Sequence, residues 1–274
     1  MLGLVLLITF AAVESIAKRR AVRPGRCEAS LVFDVAPTPG DAAVIVEHLF
    51  KQLLFIRGQI PGAFARVAAE VDAVRCGGVG TGSAPIRVPG RPASRATSQQ
   101  RRLGKVVDAA RAIVHECATP DNFPPGRDVT LYINFGSPTR PKECYELHMR
   151  CGEAEAAPDG RRQDALCKQV LRTIVTEAAG LPEGPASAGP IAVRLVMRYR
   201  LRADVKGPGG FVHKPGFKMN LSRALHVAVD IEGREQEGDP ATLRELAGLD
   251  AGGGPCMYFV SSVKVKGLGQ AGEI

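Results

Sequence analysis

The stretch that most narrows what this chain can fold into is 127–150, RDVTLYINFGSPTRPKECYELHMR. Val129, Leu131, Ile133 and Phe135 alternate with Thr130, Tyr132 and Asn134; Tyr145, Leu147, Met149 and Cys151 alternate with Cys144, Glu146, His148 and Arg150. Successive side chains of a strand point to opposite faces, so this period of two predicts strands with one face on a core and the other toward water. Gly136, Ser137, Pro138 and Pro141 supply turn chemistry between them, and neither proline is expected to extend a ladder. The pattern predicts an antiparallel hairpin with long arms and a slightly long loop. The other elements are expected to cover its apolar face.

Around the hairpin the chain alternates between helical and extended patterns. Residues 14–27 form a basic connector, 30–35 a short strand, and Asp41 is placed to cap a helix over 42–57. Its stripe of Ala42, Val46, Leu49, Phe50, Leu53 and Leu54 is broad enough for a helix enclosed by neighbours. A second helix is predicted over 63–74. Residues 76–100, rich in Gly, Pro, Ser and Arg, are expected to be a disordered basic loop inside the domain. Helical periodicity returns at 100–117 and at 158–178. Strands follow at 191–201, 225–231 and 257–265, the last breaking alternation near Phe259 and Val260 as a bulged or doubly buried strand does. Residues 233–254 form an acidic, glycine-rich excursion expected to be flexible, with a helical turn near 242–246. The sum is an α+β fold, a mainly antiparallel sheet with three long helices on one face, in a single domain over 28–268 behind an N-terminal extension at 1–27.

Composition excludes some functions. The chain has no Trp and 5% aromatic residues, which argues against a carbohydrate site or a base-stacking platform. The seven cysteines, an odd number, include no CxxC pair, so no zinc chelate is set up; several sit in predicted strands or helices as small buried hydrophobes, which fits a reducing compartment, cytosol or nucleus. The net charge of +8 is compatible with nucleic acid, an acidic protein surface, or solubility alone. Residues 1–13, MLGLVLLITFAAV, are too short to span a bilayer as a helix and lack a preceding basic residue, so a packed N-terminal strand or helix is favoured over a signal core.

No local pattern sets up catalysis. Gly77, Gly78, Gly80 and Gly82 follow a predicted helix and precede Pro/Arg-rich coil, the wrong context for a phosphate loop. His115-Glu116 lacks a second histidine one turn on; His148 and Glu146 are expected on a solvated strand face, and His48 and His226 at surface or boundary positions. Arg194, Arg198 and Arg200, with Lys264 and Lys266, offer phosphate contacts without interleaved aromatics, so a nucleic-acid module is the alternative and a solvated polar face the plainer expectation. By elimination the chain works through surfaces.

Against that background a resemblance is visible. FGSPTRPKECYELHM resembles the hairpin of HORMA domains and is similar to that of the comet family, HORMA-like proteins that bind Mad-two and silence the spindle checkpoint. EHLFKQLLFIRGQIP at 47–61 resembles the family's first helix and its exit, RPASRATSQQRRLGKVVDA its basic loop, CKQVLRTI at 167–174 its next helix, and HKPGFKMNL with VSSVKVKGL its late loop and closing strand. Together these cover most of 28–268.

The resemblance implies a HORMA-like fold and a non-enzymatic adaptor without a cofactor, acting in nucleus and cytoplasm. Such a protein binds the closed conformer of a Mad-two-like HORMA partner, presents it to the hexameric pachytene-checkpoint AAA+ ATPase, and in some lineages acts on meiotic HORMA proteins. Carried over by position, the partner-binding residues are Ile56, Arg57, Gln59, Leu171 and Arg172, and the ATPase-facing loop is His213, Lys214, Pro215 and Lys218. Ile56 and Leu171 depart from the animal pattern, Gln and an aromatic respectively, and both keep or raise apolar character.

Overall fold

The structure is a computed structural model, and it describes residues 26–76, 98–152, 160–179, 190–200, 207–233 and 256–268. In chain order these form β1 (Arg26–Phe33), α1 (Pro39–Ile56), α2 (Phe64–Arg75), α3 (Ser98–Cys117), a 3-10 turn (Pro120–Asn122), β2 (Asp128–Gly136), β3 (Pro141–Arg150), α4 (Gly160–Ala179), β4 (Ala192–Arg200), β5 (Phe211–His213), β6 (Leu225–Gly233), β7 (Cys256–Ser261) and β8 (Val265–Lys266). The glycine run at 77–82, nearly all of the 76–100 loop and the helical turn near 242–246 lie outside the described residues, as does the N-terminal extension except its last two residues. Those two, Arg26 and Cys27, open β1 instead of belonging to a connector.

The hairpin stands as the centre of one eight-stranded sheet in the order β1-β6-β3-β2-β4-β7-β5, with β8 also on β4. Its connection is shorter than expected. Pro141 pairs with Gly136 as the first residue of β3, a position where a missing N–H costs no interior ladder bond. The sheet is mostly antiparallel, but β6 runs parallel to both β3 and β1. A sequence pattern of alternating polarity is silent on strand direction.

Among the described residues four helices, not three, lie on one face. α2 belongs with the others because Phe64, Val67, Ala68 and Val71 enter the same core as α1, α3, α4 and the inward side chains of β2, β3, β4 and β6. α1 begins one turn earlier than predicted. Thr38 is its N-cap, with Asp41 at the third helical position returning a bond to Thr38 N at 3.0 Å while Asp41 N donates to Thr38 Oγ1 at 3.1 Å. This reciprocal capping box, with Pro39 just inside it, satisfies donors that a lone Asp41 cap would have left free. α2 and α3 are joined by two bidentate pairs, Arg75 with Asp108 (2.8 and 2.6 Å) and Arg111 with Asp72 (2.9 and 2.6 Å).

The opposite face of the sheet is not bare. A smaller core of Tyr132, Cys144, Val196 and Val260 is covered by Phe217, Met219 and Leu221 from the segment between β5 and β6. β7 is accordingly buried on both sides, Phe259 in the large core and Val260 in the small one. The outward side chains of β2 and β3 were expected in water; Tyr132, Asn134, Cys144 and Glu146 are buried instead. No helix among the described residues is long and apolar enough to cross a membrane.

Candidate functional site

The exit of α1 is fixed by buried chemistry. Arg57 lies 2.5 Å from Glu143 Oε1 and donates to Tyr145 Oη at 2.6 Å, and Tyr145 in turn donates to the same Glu143 oxygen. The Arg57 guanidinium also lies 5.7 Å from the Tyr145 ring centroid. Burial lifts the Glu143 carboxyl above its ordinary range, and Arg57 and Tyr145 only partly offset this; its second oxygen has no hydrogen-bond partner. Gln59 is fully buried. It donates to Arg57 O at 2.8 Å and accepts from Ile191 N at 2.9 Å, while its backbone carbonyl accepts from Leu268 N at 3.0 Å. Arg57 and Gln59 therefore set the shape of this corner from within the fold instead of projecting from it.

What the corner presents is apolar. Phe55 and Ile56 are each 43% exposed, directly after Leu53 and Leu54, which are buried. α4 starts beside the start of α1, where Arg162 lies 3.5 Å from Asp41 and donates to Ala36 O at 3.0 Å. On α4, Val175 is likewise a large apolar side chain left exposed. Of the two α4 positions carried over from the resemblance, Leu171 is half-buried and packed on the large core, and Arg172 is exposed.

His213, Lys214, Pro215 and Lys218 are all exposed; Lys214, Pro215 and Lys218 belong to the segment on the other face of the sheet, whereas the His213 ring lies 5.2 Å from the Phe259 ring, on the large-core face. Pro215 and Gly216 (φ 67°) make a type II turn closed by Phe217 N donating to Lys214 O at 3.1 Å, which sets Lys214 and Lys218 on either side of it. The turn is held down by Phe217 against Tyr258 (ring centroids 5.3 Å), by Asn134 Nδ2 donating to Met219 Sδ at 3.2 Å, and by Asn220 N donating to Thr139 O at 2.8 Å.

On the same face of the sheet as this strap is a cluster of titratable side chains that sequence reasoning placed in water. His148 Nε2 lies 3.1 Å from Glu146 Oε1, and His226 Nε2 lies 2.6 Å from Glu146 Oε2 without aligned hydrogen-bond geometry. Thr130 Oγ1 accepts from Arg198 at 3.1 Å and lies 3.1 Å from His148 Nδ1. Burial opposes ionisation of Glu146, but the contacts with His148 and His226 outweigh it and hold the carboxyl far below the usual range. His226 is buried, not a boundary residue. The signal was present: Phe217, Met219 and Leu221 alternate with Lys218 and Asn220, the period of a segment lying flat on an apolar surface.

Arg198 donates to Thr130 and Arg194 donates to Ser261 O at 3.1 Å, so these two β4 arginines are tied into the fold; the Arg200 side chain lies outside the described residues. Among the described residues no three His, Cys, Asp or Glu are placed to hold a metal ion. Compared with known proteins, the chain matches no family model and no curated sequence.

Proposed function

We propose that this chain is a comet-like adaptor, which binds the closed conformer of a HORMA partner of the Mad-two type and presents it to a hexameric AAA+ ATPase. The observation that carries this is Phe55 and Ile56, large apolar side chains left in water on the last turn of a helix whose end is locked by Arg57, Glu143, Tyr145 and Gln59. An apolar cluster held rigidly at a surface loses little entropy on docking, which favours a protein interface over a solvated helix end. The ATPase contact is assigned to His213, Lys214, Pro215 and Lys218, at the end of β5 and in the turn that follows it.

The test is size-exclusion chromatography with a Mad-two-like protein locked open or closed. A one-to-one complex with the closed form alone is expected. Ile56→Glu should abolish it at unchanged thermal stability, because an unpaired charge in a desolvated interface core costs several kcal/mol. Leu171→Glu should weaken it as well, with a measurable loss of stability, since Leu171 also touches the core. Co-elution of neither conformer, or normal binding by Ile56→Glu, would overturn the proposal.

A further inference from the structure

β5 is the last strand of the sheet on its side, and among the described residues nothing pairs with its outer edge. Ser262 N donates to Gly210 O and Lys214 N donates to Tyr258 O, both at 3.0 Å, with Val212 in register with Val260 between them. In an antiparallel ladder such pairs recur every second residue, so Gly210, Val212 and Lys214 turn their backbone groups toward β7. The N–H and C=O groups of Phe211 and His213 point the other way, off the sheet. Beside this edge Val212 is 47% exposed, and Lys214 and Lys218 flank the Pro215–Gly216 turn. The whole segment 207–224, GPGGFVHKPGFKMNLSRA, contains no carboxylate.

The sheet's other open edge offers no such field. On β1, Arg26 and Glu28 pair with each other at 2.6 Å. Among the described residues the rings beside this edge are engaged within the fold, Phe217 with Tyr258, His213 with Phe259 and Phe211 against the large core, which disfavours base stacking. We propose that β5 is a docking edge for an extended acidic segment of a protein partner. The segment adds as a further strand, its backbone bonding Phe211 and His213, its carboxylates beside Lys214 and Lys218, and an apolar side chain on Val212. This rests on the assignment of the Lys214 loop as a partner-facing loop, and names the chemistry that the partner brings to it.

The probe is a fluorescein-labelled peptide of alternating Glu and Val, titrated into the full chain by anisotropy beside a Gln/Val peptide and a single-stranded oligonucleotide. The Glu/Val peptide is expected to bind best, more weakly as salt rises, and about tenfold more weakly to Lys214→Glu/Lys218→Glu. His213→Pro deletes an outward N–H without touching a β5–β7 bond, so it should weaken binding severalfold more than His213→Ala, with thermal unfolding confirming that both variants fold. No binding, preference for the oligonucleotide, or equal behaviour of His213→Pro and His213→Ala would overturn the proposal. Co-elution with the AAA+ hexamer separates the two assignments. A hexamer that binds and is not displaced by the peptide leaves the ATPase assignment standing and removes the acidic strand. Peptide binding without hexamer binding does the reverse.

Discussion

Glu146 keeps its charge where a carboxylate has little water, and the imidazoles of His148 and His226 are the reason. Glu146→Gln removes the charge but leaves the imidazoles buried around a neutral amide. Losing one partner of a buried ionic cluster costs about 3 kcal/mol, so urea unfolding at neutral pH should show a midpoint well below wild type. The sign of the pH dependence follows from the depressed folded value. The stabilisation is fully present above the ordinary carboxylate value of 4.5 and fades as pH falls toward the folded one. The gap between wild type and Glu146→Gln should therefore narrow on acidification below that value; a gap that stays constant would show that the charge is not what stabilises the site. At this scale the sequence was half legible. Glu146 and His148 were correctly placed on one strand face, but β3–β6 pairing, which brings His226 to them, is non-local and leaves no mark in either strand's own pattern.

Among the elements, the hairpin and helices were readable because periodicity records burial, and burial forms them. The strap over the second face was not, because its turn residues read as loop although the apolar side chains between them alternate. Its role predicts a thiol experiment. Burial holds the Cys144 thiol well above its ordinary range, and pushes Cys117 and Cys151 up to about 12 and Cys167 up to about 11, while Cys76 and Cys256 are exposed. Because the thiolate is the reacting species, Cys76 and Cys256 should react fastest with a disulfide reagent in the native protein and Cys144 only on unfolding. Phe217→Ala should cost about 2 kcal/mol and bring Cys144 into the reactive set by loosening the strap over it. A second lock is testable at Gly210. Its φ of 73° and the Glu116 carbonyl against it leave no room for a Cβ, so Gly210→Ala should destabilise by about 2 kcal/mol or more in thermal unfolding.

For the whole molecule, the sheet is a partition. Phe55 and Ile56 belong to the helical side, over the large core, and Lys214 and Lys218 to the strap side, over the small one. No residue of one proposed surface touches the other in the described contacts, and each is anchored by its own buried network, Glu143 with Arg57 on one side and Asn134 with Met219 on the other. An adaptor needs this separation, since a shared surface would make its two partners compete. Substitutions on the two sides are therefore expected to act independently and additively, as sites without shared contacts do. Ile56→Glu should lose the closed HORMA partner and still co-elute with the ATPase, and Lys214→Glu/Lys218→Glu should lose the ATPase and still bind the partner. The wild-type chain should hold both in one ternary peak, with the affinity for either changed less than about twofold by saturation with the other. Strong mutual exclusion would mean that the two surfaces communicate through the sheet or that one of them has been placed on the wrong side of it.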